Sequence, residues 1–296
     1  MIYFCVVYWK NPEWIDCQLS HIAAYTESKY QLLCMHTGLE ASDMQNSRFS
    51  YAANTQIREH AVKLDILGHE ACRMSTSNED ILVFIDSDAF PIAKWEASCL
   101  AELKSHKLLA VQRLENLGDP QPHPCFCVTT VGFWREIGGT WSSGHSWFNT
   151  RGEKVTDVGG NLGKHLERSG QPWRPLLRSN TYNPHPLWFG VYGNMIYHHG
   201  AGSRKRLSRF DREAISTSVR KKHPVRSGIL DAIRKLPKRL RSARLLHALG
   251  LKQHENVLLD AQEARLAKMS DTIIRTSRST LLSPSVIDDL LKPEAQ

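Results

Sequence analysis

The chain of 296 residues contains no apolar run near the roughly 18 residues that a membrane-spanning helix needs. It also lacks a charged-then-apolar leader, because Met1-Ile2-Tyr3-Phe4-Cys5-Val6-Val7-Tyr8 reads as a first β-strand. The expected location is therefore cytoplasmic. Paired cysteines at ligand spacing are missing too: the seven cysteines, at 5, 17, 34, 72, 99, 125 and 127, are odd in number and several sit inside apolar runs. Reduced, packed thiols are the expectation. Cys125-x-Cys127 in a strand would put both thiols on one face, but a zinc site needs a second pair. Nor does a glycine-rich phosphate loop follow the first strand, where Trp9-Lys10-Asn11-Pro12 stands instead. That absence counts against a nucleotidyltransferase of doubly wound architecture.

Basic excess is absent from most of the chain and concentrated in one part of it. Residues 1–202 carry 17 basic against 20 acidic side chains, residues 203–252 carry 16 against 3, and residues 253–296 carry 5 against 7. The whole net charge of +8 thus comes from about fifty residues. Such a block implies an anionic partner, whether membrane surface, nucleic acid or phosphorylated substrate. Length alone suggests one large domain with an extension, or two domains.

Ile81-Leu82-Val83-Phe84-Ile85 runs without a break into Asp86-Ser87-Asp88, bounded by polar Asn78-Glu79-Asp80 and by Pro91. The run predicts a central strand covered on both faces, with two carboxylates at its carboxyl end, where open α/β sheets bind ligands. Two readings stand side by side. Either Asp86 caps a following helix and Asp88 is solvated, or the pair shares a divalent cation that relieves their mutual repulsion.

Before that strand, residues 13–29 predict a helix, Tyr30–His36 a second strand, and residues 51–74 one long helix or two short ones. After it come a helix from about Lys94 to His106 and a strand over 107–112. Strand, helix, strand favours a parallel sheet. The breaker-rich Leu117-Gly118-Asp119-Pro120-Gln121-Pro122-His123-Pro124 predicts a loop, and the character of the chain changes near residue 115. Residues 125–133 suggest a strand and Phe133-Trp134-Arg135-Glu136-Ile137-Gly138-Gly139 a short helical turn. Asp157 opens a helix, as a cap or as a catalytic acid or base, and Tyr192 to Arg204 reads as a last strand with paired His198 and His199 before a glycine-rich turn. Alternation along a strand lets only one of the two histidines face a given site. Tyr8 and Trp9, at the end of the first strand, are candidates to stack on a nucleotide base, with packing as the alternative.

In combination, Asp86-Ser87-Asp88, the Phe133 to Gly139 turn, Asp157 and the histidine strand resemble the GT-A-type, family-2-like nucleotide-sugar glycosyltransferases over residues 1–202. The resemblance implies an α/β fold with a mainly parallel central sheet flanked by helices. It implies a nucleotide half at about 1–115, an acceptor half at about 116–202, and a basic, mainly helical extension at 203–296. It further implies Mn²⁺ or Mg²⁺ held by Asp88, with Asp86 on metal or ribose and His198 or His199 as third ligand. His199 is favoured, because Gly200 and Gly202 allow the backbone close to a diphosphate. Tyr8, Trp9, Asn11, Asp86 and Arg204 are the candidate donor contacts, and Asp157 the candidate base. The donor would be a UDP- or GDP-sugar and the acceptor a glycan or lipid-linked glycan of bacterial surface polysaccharide synthesis. The Gln-x-x-Arg-Trp sequence of processive members is lacking, which argues against polymer synthesis.

Within the basic segment, Ile229, Ile233, Leu236, Leu240, Leu245, Leu246 and Leu249 recur among Arg and Lys, and Pro237 divides them into two amphipathic pieces. Peripheral contact with an anionic membrane, at the inner face of the plasma membrane, and a solvated extension are equal readings. A nucleic-acid-binding module would use the same charge. It leaves Asp86 and Asp88 unexplained, and few aromatics interleave with the block. Residues 253–296 read as further helix and a loose tail.

Overall fold

A computed structural model describes residues 1–44, 49–200 and 251–293 of the chain. Arg204 and the two amphipathic pieces lie outside these described residues.

The apolar runs become strands β1 (Ile2–Trp9), β2 (Tyr30–Thr37), β4 (Ile81–Asp86) and β6 (Leu108–Gln112). They join β3 (Tyr51–Asn54), β7 (Pro122–Thr130) and β10 (Trp173–Leu176) in one seven-stranded sheet of order β10-β6-β7-β4-β1-β2-β3. Every pairing is parallel except those of β7, which runs antiparallel to both β4 and β6. The parallel crossovers are α1 (Glu13–Tyr25) and α3 (His60–Met74), with short α2 (Ala41–Met44) before β3. Continuous apolarity in β4 follows from cover on both faces. Val83 and Ile85 pack with Phe4, Ile15 and Trp95 on one side, Leu82 and Phe84 with Leu64, Leu67 and Trp134 on the other.

Residues 51–74 are not helical throughout. Tyr51–Asn54 forms the edge strand β3 and the helix begins only at His60. Four residues with one half-buried face carry too little pattern to stand out beside a following helix. The proline-rich loop also ends early, because Pro122 and Pro124 already lie in β7. A register shift there takes the partners from Ala110↔Cys127 to Val111↔His123, and such a bulge tolerates proline.

Short elements complete the layer beyond the sheet: α4 (Glu96–Glu102), α5 (Val131–Glu136), the β8 (Trp147–Phe148) and β9 (Lys154–Val155) hairpin, and α6 (Gly160–Arg168). A second, antiparallel sheet of order β11-β12-β5 unites β5 (Ala89–Pro91), β11 (Gly190–Tyr192) and β12 (Ile196–His198). After the undescribed stretch come α7 (Leu251–Ser279) and α8 (Pro284–Leu291). These helices are not loosely attached. Leu266, Ile273, Leu282, Ile287 and Leu291 are fully buried in one cluster with Trp14, Phe90, Phe189 and Tyr197. At roughly 1.5–3 kcal/mol per buried aliphatic side chain, that contact holds the helices firmly to α1 and the small sheet.

Candidate active site

Strand β4 delivers Asp86 to the carboxyl edge of the large sheet, and a two-residue turn later β5 starts at Ala89. The turn is clamped from the side of α1. Gln18, with no exposed surface, donates from its amide to the carbonyls of Asp86 (2.7 Å) and Ala89 (2.6 Å), and accepts from the Tyr8 hydroxyl (2.6 Å). From the other side, β12 pairs His198 with Ala89, and the His199 N–H donates to the Asp88 carbonyl (2.9 Å).

That pairing aims His198 at both carboxylates. Its Nε2 lies 3.6 Å from Asp86 Oδ2 and 3.5 Å from Asp88 Oδ1, with all three side chains largely buried. One ligand atom from each of Asp86, Asp88 and His198 lies within 4.8 Å of the others. Burial opposes charge on the His198 imidazole. The Cys125 thiol, within hydrogen-bonding reach, and the Asp88 carboxylate outweigh it and hold the pKa well above the usual imidazole value. Two carboxylates and an imidazole converging on one point match the donor set of a divalent cation such as Mn²⁺, and they attract a proton in its place.

His199, favoured from the sequence, faces away. Its Nδ1 meets the Tyr197 hydroxyl at 2.9 Å and its Nε2 the Ser270 hydroxyl of α7 at 2.8 Å, while the ring packs 4.6 Å from Trp14. Burial pushes its pKa down to about 4. Adjacent residues of a strand point to opposite faces, and the pairing with β5 gives the site to His198. The close approach allowed by Gly200 is to the Leu187 carbonyl, where a Cβ would collide and where φ is +79°.

Tyr8 is likewise turned inward. It has no exposed surface and sits among Phe4, Val6 and Ile15, so no base stacks on it. Trp9, the next residue, is half-buried on the opposite face, with the Lys63 ammonium 4.6 Å from its ring centre. Lys63 is itself buried, 3.4 Å from the Thr37 hydroxyl, and burial lowers its pKa. Asn11 accepts from the Glu13 N–H (3.0 Å) at the start of α1.

Asp157 precedes α6 and is held by Arg113, whose guanidinium donates to Oδ2 at 3.0 Å; its Oδ1 accepts from the Val158 N–H (2.8 Å). Arg113 follows β6 and also approaches buried Asp119 at 3.9 Å. Burial pushes Asp119 up from 3.8 to about 6 against the pull of Arg113. His123, its ring 6.2 Å from that of His198, stays neutral, because burial and Arg113 drive its pKa well below normal. Asp157 and the carboxylate pair thus open on the same edge of the sheet.

Solved structures that this chain resembles include glycosyltransferases. A mannosyltransferase from Pyrobaculum calidifontis, in complex with GDP-mannose and Mn²⁺, matches at 13% identity, covering 94% of this chain and 79% of that one, with a TM-score of 0.44. The galactosyltransferase LgtC, in complex with donor and acceptor sugar analogues, matches at 10% identity over 46% of this chain and 60% of its own, TM-score 0.33. TarS from S. aureus, in complex with UDP, matches at 12% identity over 48% and 50%, TM-score 0.36. No protein-family model and no curated protein matches the chain.

Several site residues carry no signal in the sequence. Gln18 and Lys63 are ordinary helix positions until tertiary packing brings them to the strand ends. Cys125 reaches His198 only because the β7 bulge breaks alternation, which leaves Cys125 in one core cluster and Cys127 in the other rather than on a shared face. The expectation of packed thiols holds elsewhere: all seven cysteines are unpaired, and burial pushes Cys17, Cys34 and Cys99 up to about 12.

Proposed function

We propose that the chain is a metal-dependent glycosyltransferase that moves a sugar from a UDP- or GDP-sugar to a hydroxyl of a glycan or lipid-linked glycan. The observation that carries this reading is the convergence of Asp86, Asp88 and His198 at the carboxyl edge of a mostly parallel sheet, where such sheets bind their ligands. Asp86, Asp88 and His198 would hold Mn²⁺, in preference to Mg²⁺ because an imidazole is among the donors. Bound there, the cation would offset the charge of a departing nucleoside diphosphate. Trp9, flanked by Lys63, offers the aromatic contact for the donor that Tyr8 does not. Asp157, held by Arg113, would take the proton of the acceptor hydroxyl, a role compatible with inversion at the anomeric carbon.

The block of 16 basic residues within 203–252 suits an anionic membrane carrying a lipid-linked acceptor, and fits a cytoplasmic protein held at the inner face. No described helix is long and apolar enough to cross a membrane. Calorimetry with UDP and GDP, with and without Mn²⁺, tests the core of the reading. Metal-dependent nucleotide binding that disappears in Asp88→Ala is expected, and full binding or activity in that variant overturns it. For the membrane role, full-length protein with Arg220, Lys221 and Lys222 changed to Gln should sediment less with phosphatidylserine vesicles, and unchanged sedimentation refutes it.

A further inference from the structure

Asp86 is gripped from two sides, and only one of the two groups belongs to the cluster described above. His198 faces its Oδ2, while Nε2 of His60 lies 3.2 Å from its Oδ1. His60 is the first residue of α3, a helix whose Leu64, Leu67 and Ala71 are completely buried against the sheet. One turn on, Lys63 is locked over Trp9. The imidazole therefore projects from a fixed element, and with its side chain 38% exposed it stands on the open rim of the site.

We propose that His60 is a positioning residue: its Nε2–H holds one oxygen of Asp86 so that the other is presented to the point shared with Asp88 and His198. The inference rests on the metal-site reading of Proposed function. A carboxylate at the end of a short turn can swing about its own torsions, and a donor on one oxygen fixes which lone pairs reach the cation. Without it, mutual repulsion between Asp86 and Asp88 favours splayed rotamers. Removal of such an outer partner typically weakens metal binding by about 10–100-fold.

The test is Mn²⁺ titration by calorimetry on the full chain, with Asp88→Ala as reference and thermal denaturation as the check on folding. His60→Ala should weaken Mn²⁺ binding by about 10–100-fold. His60→Gln, whose amide nitrogen can donate from nearly the same place, should recover most of the loss. Parent-like Mn²⁺ affinity in His60→Ala overturns the proposal. So does a His60→Gln variant as weak as His60→Ala, because His60 would then be a ligand itself. A parent chain that binds no Mn²⁺ overturns the metal-site reading as well, an outcome distinct from either.

Discussion

Replacing Gln18 by Leu tests whether the Asp86 to Ala89 turn is held by one amide. The substitution keeps the volume and removes two donors and an acceptor, stranding the Tyr8 hydroxyl and the carbonyls of Asp86 and Ala89. Tyr8 and Ala89 have no exposed surface, so water cannot replace the lost partner there, while the carbonyl of half-buried Asp86 is partly rescued by solvent. At roughly 1–3 kcal/mol for each buried group left unpaired, less the relief of no longer burying the amide, the net cost is about 2–4 kcal/mol. Tyr8→Phe alone should cost about 1–2 kcal/mol, and the double variant should fall short of the sum by about 1–2 kcal/mol, since the two share one hydrogen bond. Urea denaturation at fixed pH measures all three. Mn²⁺ calorimetry on the same proteins should show affinity falling at least about tenfold in Gln18→Leu, as Asp86 and Asp88 lose their fixed separation. A Gln18→Leu protein within about 0.5 kcal/mol of the parent refutes the reasoning. So does lost stability with unchanged Mn²⁺ affinity, which would make the amide a core contact without influence on the site.

Asp157→Asn should lower kcat by about 10²–10⁴-fold while UDP binding with Mn²⁺ is retained; loss of nucleotide binding would move Asp157 to the donor side. Gly159, at φ +91° with the Pro122 carbonyl where a Cβ would go, should not tolerate Ala: a loss of about 2–4 kcal/mol is expected in thermal denaturation, and an unchanged Tm contradicts it. Asp119 holds its proton more tightly folded than unfolded, so the protein should gain stability as pH falls from 7 through about 6 towards 4. A rise from 3.8 to about 6 corresponds to roughly 3 kcal/mol at neutral pH, which Asp119→Asn should abolish; identical pH profiles for the two proteins refute it.

The sheet was largely legible because its central strands are unbroken apolar runs, and a run covered on both faces needs no partner information to be recognised. Edge strand β3 was not, since four half-buried residues beside a helix leave no period to detect. Within the site, Asp86 and Asp88 follow from their place at a strand end, whereas the choice between neighbours does not. Tyr8 against Trp9 and His198 against His199 are each decided by which face of a strand meets solvent. That depends on pairing: β1 turns Tyr8 towards α1, and the register His198↔Ala89 turns His198 towards the carboxylates. His60, Gln18 and Arg113 belong to a third kind, contributed by segments 26, 68 and 44 residues from their partners, where only the folded chain supplies the contact.

The same dependence joins the carboxyl-terminal helices to the site. Helices α7 and α8 reach back to α1, where the Leu282 N–H donates to His21 Nε2 (2.9 Å) and the Tyr25 hydroxyl to the Leu282 carbonyl (3.0 Å). Ser270 of α7 takes the free nitrogen of His199, whose backbone N–H in turn holds the Asp88 carbonyl. A chain cut at residue 202 would therefore bare Trp14, Phe90 and Tyr197 as well as lose the charge of the basic segment, so a change in its membrane binding or activity could not be assigned to charge.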